Sequence, residues 1–160
     1  MRPRALSNLS AVTPSSSDGP VLFAYDGSDF AKSAIAVAGR ELKGDRSAIV
    51  MTVWGPLEGV PFGSTVSRGI NEEVDRGLVE EATRVTEEGV ELAKAAGFDA
   101  TSHVERGDPI WKLIVDAADQ HDAAVIVLGS HGRTGVKAVL LGSVAGAVAS
   151  HSKRPVLIAH

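Results

Sequence analysis

The sequence predicts an α/β domain built on an open, parallel, five-stranded sheet of order 3-2-1-4-5, with helices on both faces. Two observations lead there. Short apolar runs alternate with helical segments in the pattern β-α-β-α-β-α-β-α-β, which implies parallel strands joined by helical crossovers. Residues 21–25 (VLFAY) and 123–128 (AAVIVL) are apolar throughout, as strands covered on both faces are, so the first and fourth strands belong side by side in the middle. Right-handed crossovers then leave few strand orders. The order 3-2-1-4-5 puts the change of direction between strands one and four. Ligands of such sheets bind at the carboxyl ends flanking that point.

The elements follow in turn. The first strand stops at Asp26-Gly27. A helix follows from Asp29, with Phe30, Ala34, Ala38 and Leu42 four residues apart and Ser28 or Asp29 as its cap. Lys43-Gly44-Asp45 ends it. Residues 48–54 (AIVMTVW) form the second strand. Residues 55–69 hold four glycines and two prolines and read as a long loop. A long helix, about 71–96, carries the stripe Val74, Leu78, Ala82, Val85, Gly89, Leu92 and Ala96. Residues 98–105 alternate only in part, as an edge strand does. Asp108 is the expected N-cap of the next helix and Pro109 its first residue, with Ile110, Leu113, Ile114 and Ala117 on the buried side. Residues 143–150 give the last helix and residues 155–159 (PVLIA) the last strand.

The chain has 160 residues, 16 basic and 20 acidic side chains and a formal net charge of −4. This length suits one domain with a tail. Residues 1–19, with five serines between Ser7 and Ser17, read as a flexible tail rather than a secretory signal; residues 20–160 are the domain. With 44% apolar and 22% charged residues, the domain buries a core without staples. The absence of cysteine removes disulfides, cysteine metal sites and cysteine nucleophiles, and suits a reducing, cytoplasmic location. No apolar run reaches the roughly 18–20 residues of a membrane helix, so no membrane partner is expected. Residues 72–94 carry eight acids and three bases, a surface that repels nucleic acid.

The chemistry concentrates after the fourth strand, where five of the residues 129–146 are glycine. Glycine lets main-chain N–H groups approach an anion closely. Gly142-Ser143-Val144 opens a helix, whose unpaired amides and dipole favour phosphate. Arg133 and Lys137 add positive charge. The spacing is neither a P-loop nor the dinucleotide fingerprint. After the first strand stands Asp26 instead, which suits a ribose hydroxyl or a magnesium ion better than a phosphate. The five histidines lie in separate elements without metal-ligand spacing, and of them His131 alone sits inside the glycine-rich loop.

The pattern Gly129-x2-Gly132-x9-Gly142-Ser143 resembles the ATP-binding signature of the universal stress protein family. Tyr25-Asp26-Gly27-Ser28, Gly107-Asp108-Pro109 and Pro155-Val156-Leu157-Ile158 are similar to further landmarks of that family, whose fold is adenine nucleotide alpha hydrolase-like. The resemblance implies that ATP binds with Mg2+ or Mn2+, that Asp26 meets the ribose or the metal, and that the main chain of Val53 meets the adenine. It implies that Gly129, Gly132, Gly142, Ser143 and Val144 hold the phosphates, with Ala24, Tyr25, Ser130 and Arg133 adjoining. It also implies a homodimer through antiparallel pairing of the last strand (Pro155, Val156, Leu157, Ile158, Ala159) and a regulatory protein partner.

The expected function is that of an ATP-binding regulatory protein in which nucleotide biases conformation or partner binding. A nucleotide-free interaction module of the same fold is the main alternative. Slow hydrolysis through a bound metal is a third reading, because no dedicated base for phosphoryl transfer is evident beyond Asp26. A nucleotide-consuming enzyme of related architecture would carry its phosphate loop after the first strand, where this chain has none.

Overall fold

The computed structural model describes residues 18–42, 45–55, 67–133 and 141–160, with 67–73 described by their helical backbone alone. The elements are β1 (Val21–Ala24), α1 (Asp29–Glu41), β2 (Ser47–Trp54), α2 (Ser67–Ala95), β3 (Asp99–Arg106), α3 (Ile110–Gln120), β4 (Val125–Gly129), α4 (Ser143–His151) and β5 (Val156–Ala159). All strand pairs are parallel and the order is β3-β2-β1-β4-β5, as the apolar pattern predicts. In the centre, Val21 stands level with Ala48 of β2 and Val125 of β4.

Strand side chains alternate between faces, so each strand feeds two cores. Val21, Phe23, Tyr25, Val50 and Val127 pack beneath α1 and α2 with Ile35, Val85 and Val90. Leu22, Met51, Ile126 and Leu128 pack on the other face with Ile114 and Val115 of α3 and Val148 of α4. An edge-to-face contact of Phe23 with Phe98, centroids 5.2 Å apart, fills the first core near the foot of β3.

Helical pitch corrects three details of the sequence reading. In α1 the buried residues are Ala31, Ala34, Ile35 and Ala38, because a strict four-residue step drifts off a 3.6-residue turn; Leu42 is the C-cap. In α2 the inner face runs through Ala82, Val85, Thr86, Gly89, Val90 and Ala93, while Val74 and Leu92 stand 38% and 37% exposed. Thr86 is buried because its hydroxyl donates to the Ala82 carbonyl at 2.6 Å. In α3 the N-cap is Pro109, with no side-chain capping bond. Pro109 is extended (φ −79, ψ 141), so the helix starts at Ile110 and Asp108 falls one residue too early to cap it. The helix α2 also begins at Ser67, inside the expected 55–69 loop; the rest of that loop, 56–66, and the tail residues 1–17 lie outside the described residues.

At the amino end of the sheet, polar ties replace apolar cover. The half-buried Arg154 donates to Asp119 at 3.0 Å, to Asp122 at 2.7 Å and to the Ala123 carbonyl at 3.1 Å, fixing the α3–β4 turn to the entry of β5. Beside it, Arg46 donates to the Gly19 carbonyl at 3.0 Å and the Ala124 amide to the Pro20 carbonyl at 2.9 Å. The opposite, carboxyl end is left open.

Gly89 sets how closely α2 lies on the sheet. A Cβ there would stand 2.7 Å from Tyr25 Cδ1 and 2.8 Å from Val50 Cγ1. Alanine gains about 1 kcal/mol of helix propensity over glycine, but overpacking a close-fitted core costs roughly 1–3 kcal/mol. Gly89→Ala is therefore expected to lower stability in urea melts. A variant as stable as the parent would show that the Tyr25 ring has room to move.

Candidate functional site

The site grows from two chain reversals at the carboxyl ends of β1 and β4. The Tyr25 carbonyl accepts the hydroxyl of buried Thr52 at 3.0 Å, holding the end of β1 against β2. Asp26 follows, and its Oδ1 accepts the Ser28 amide at 3.0 Å in a local turn. Gly27 takes φ +80, a conformation side chains disfavour. Ser28 caps α1 by accepting the Ala31 amide at 3.2 Å.

From the other side, β4 ends in Gly129 and the fully buried Ser130. The Ser130 amide donates to the Ala159 carbonyl and its carbonyl accepts the Gly142 amide, both at 2.7 Å. That second bond brings the start of α4 back beneath the loop. The two reversals meet at Arg133, whose amide donates to Asp26 Oδ2 at 3.2 Å and whose Nε donates to the Asp26 carbonyl at 2.7 Å.

Between them lies a cavity of about 390 Å³. Of the residues singled out in the sequence, Ala24, Tyr25, Asp26, Val53, Gly129, Gly132, Gly142, Ser143 and Val144 line it; the buried Ser130 and the exposed Arg133 do not. Lys137 and Gly135 lie outside the described residues. The lining also includes Ala31, Met51, Ile110, Ile114, Leu128, His131 and Ala145. Met51 and Leu128 join it because both stand level with Ala24 in the sheet, a register the sequence pattern does not reveal. Ile110 and Ile114 carried a signal, an i, i+4 apolar pair directly after the Gly107-Asp108-Pro109 turn.

The cavity has two chemistries. Met51, Val53, Ile110, Ile114 and Leu128 give one side an apolar wall suited to a flat ring. The other side is the start of α4. Its N-cap, Gly142 (φ −65, ψ 164), offers no side-chain bond, so the first-turn amides of Ser143, Val144 and Ala145 have no intrahelical acceptor. The helix dipole makes that end partly positive. Near this end His131 shares a hydrogen bond of 3.1 Å between its Nδ1 and Ser130 Oγ, and its ring centroid lies 5.2 Å from that of Phe30.

The glycines differ in purpose. A Cβ on Gly129 would come within 2.6 Å of Phe30 main-chain carbon and 2.9 Å of the Ala31 nitrogen, so this residue is small to let α1 cross β4 closely. A Cβ on Gly132 would stand 2.9 Å from Asp26 Oδ2, so there the small residue admits the carboxylate. Among the described residues no group of three or more His, Cys, Asp or Glu could hold a metal ion, and Asp26 stands without a second acidic ligand beside it in the cavity lining. No helix among them is long and apolar enough to cross a membrane.

The parallel sheet that carries this cavity is a fold shared by the solved structures this chain matches. The description "Universal stress protein family" fits residues 19–160, and the chain belongs to that family. It is 30% identical over 148 residues to the universal stress protein YxiE of Bacillus subtilis, covering 86% of this chain and 96% of that one. It is 30% identical over 152 residues to universal stress protein Rv2005c of Mycobacterium tuberculosis, covering 93% of this chain and 48% of that protein, so the chain spans about half the length of its mycobacterial relatives. Among solved structures, that of MJ0577 from Methanocaldococcus jannaschii superposes with a TM-score of 0.74 at 28% identity, over 89% of this chain and 95% of that one. A universal stress protein in complex with cAMP (TM-score 0.57, 28% identity, 89% and 96% covered) and one from Archaeoglobus fulgidus in complex with dAMP (0.58, 25%, 89% and 98%) share the fold.

Tyr25 contributes main chain to the site and its ring to the core. The ring is 3% exposed, and its hydroxyl has no hydrogen-bond partner among the described residues. Burial first, then the negative charges of Glu88 and Asp26, and last the nearness of the Glu88 carboxylate to the hydroxyl, push the phenol up to about 12, although that approach lacks the geometry of a hydrogen bond. Glu88 itself is turned onto Lys32 at 2.7 Å. Folding thus favours the neutral phenol, and this contribution is full below the ordinary value of 10.0 and lost as pH rises towards about 12. Tyr25 is the sole tyrosine, so the ultraviolet titration of phenolate reads it directly. Tyr25→Phe is expected to match or exceed the parent's thermal stability at neutral pH, by up to about 1 kcal/mol, and to flatten the alkaline loss. A clear loss at neutral pH would reveal a partner for the hydroxyl.

Proposed function

We propose that this chain binds an adenine nucleotide, ATP together with a divalent cation, and that the nucleotide acts as a ligand biasing conformation or partner binding. The carrying observation is the division of the 390 Å³ cavity into an apolar wall and an uncapped helix start. The apolar wall of Met51, Val53, Ile110 and Ile114 fits a base, and the amides of Ser143, Val144 and Ala145 fit phosphate oxygens. Asp26 lies between them, with each oxygen already accepting one main-chain amide and retaining capacity for a ribose hydroxyl or a hydrated cation. A bound cation would supply charge neutralisation to the phosphates; the protein's part is to hold the chain of phosphates against α4.

The complexes of relatives with cAMP and dAMP favour the adenine-nucleotide class. Occupancy would bear on two loops at once, because the Asp26 and Gly129 reversals border the same cavity. That is the route by which ligand would bias a partner surface. The outer edge of β5, which among the described residues pairs with β4 alone, is where a second copy would add antiparallel.

Calorimetric titration with ATP and Mg2+ tests the reading. In Gly142→Asp the new carboxylate would act as a favourable N-cap, occupying the amides that phosphate needs and repelling its charge. Affinity should fall at least about tenfold, a loss of only about 1.4 kcal/mol, with thermal stability kept. The position tolerates a side chain at this φ, although a Cβ would stand 3.2 Å from the Ser130 carbonyl oxygen. Unchanged affinity would remove the phosphate site from α4.

A further inference from the structure

The geometry points to Arg133 as a latch that positions Asp26 and ties the turn after β1 to the residues directly following β4, rather than as a phosphate ligand. This inference rests on the nucleotide reading above and adds how the site is held. Arg133 does not line the cavity, although its neighbour Gly132 does. Its Nε is spent on the Asp26 carbonyl at 2.7 Å, and its amide on Asp26 Oδ2 at 3.2 Å. These two bonds cross 107 residues of chain and link the turn after β1 to the loop after β4.

The surroundings are shaped for this posture. Gly132 admits Asp26 Oδ2, which a Cβ would crowd at 2.9 Å. Gly27, at φ +80, lies beneath the guanidinium, with a built Cβ 4.0 Å from its Nη2 and 3.4 Å from Val85 of α2. On α2, the Glu81 carboxylate is held below its ordinary range, first by its hydrogen bond with Arg84, with the charge of Arg133 adding to the effect. The guanidinium therefore sits between the Asp26 turn and an acidic helix face, with Gly27 between it and Val85.

The latch makes Asp26 useful. A carboxylate next to a phosphate chain must be aimed at a hydroxyl or cation, and free rotation would aim it nowhere. Here Oδ1 is fixed by the Ser28 amide and Oδ2 by the Arg133 amide. The Nε bond keeps that second amide in place. A phosphate ligand and a latch lose different things on substitution. A ligand of the β- or γ-phosphate matters for ATP and hardly for AMP, a ligand of the α-phosphate matters for both, and in either case a lysine replaces much of its charge. A latch matters for both nucleotides, because both share the ribose. Lysine cannot replace it, since it carries a methylene where arginine carries Nε.

The test compares Arg133→Ala and Arg133→Lys with the parent in titrations with AMP and with ATP·Mg2+, alongside amide hydrogen exchange without nucleotide. The expected result is a loss of roughly five- to tenfold for both nucleotides in both variants, the net scale of one ordinary hydrogen bond. Exchange at the Ser28 and residue 133 amides should be several-fold faster, with the melting temperature unchanged. A loss repaired by lysine, whether for ATP alone or for both nucleotides, would make Arg133 a phosphate ligand and overturn the latch. So would unchanged affinity together with unchanged exchange. If the parent binds neither nucleotide, the nucleotide reading fails, and exchange at Ser28 then decides the latch without it: unchanged exchange refutes it, faster exchange upholds it.

Discussion

A short central strand, paired on both sides, governs this molecule. β1 has four residues, and each stands level with one residue of β2 and one of β4. The chain leaves β1 for α1 and β2 on one side, while β4 arrives on the other. The connecting segments must therefore diverge at the carboxyl end of the sheet, and a cleft opens where they part. The cavity, the Asp26 turn and the uncapped start of α4 all lie around that parting. With Val21, Leu22 and Phe23 at most 1% exposed, β1 has no freedom to shift register without exposing one of the two cores.

The layers on each side close down on this strand through small residues. Ala31, Ala34 and Ala38 let α1 ride low over the sheet, Gly89 does the same for α2, and Gly129 lets the start of α1 cross β4. Low-riding helices bring the Asp26 turn and the loop after β4 within hydrogen-bond reach. The same closeness leaves Tyr25 boxed in beneath Gly89, with its hydroxyl desolvated and without a hydrogen-bond partner among the described residues. The site's precision and this buried polar atom are two results of one packing choice.

Much of this was legible in the sequence because the signals were periodic or compositional. The continuously apolar 21–25 and 123–128 runs gave the strand order, and the order located the switch point. The glycine spacing marked Gly129, Gly132 and Gly142, all of which line the cavity. What escaped was set by three-dimensional fit. Whether Gly129 is small for a ligand or for Phe30 depends on a crossing distance that no pattern encodes. Leu92 belongs to an apolar stripe by spacing yet stands 37% exposed, because it lies five turns from Val74 at the same edge of that stripe, while the inner face centres on Ala82, Gly89 and Ala93. Met51 and Ile114 looked like ordinary core, and their second role depends on neighbours distant in the chain.

The polar ties around Arg154 acquire a wider meaning against this background. Arg154, Asp119, Asp122, Arg46, Gly19 and Pro20 gather at the end of the sheet away from the cavity and join segments far apart in sequence. The molecule is built like a book bound along one spine, with its pages parting only at the far margin. A rearrangement at the open margin would then leave the hydrophobic layers joined at the spine, and its energetic cost would stay local.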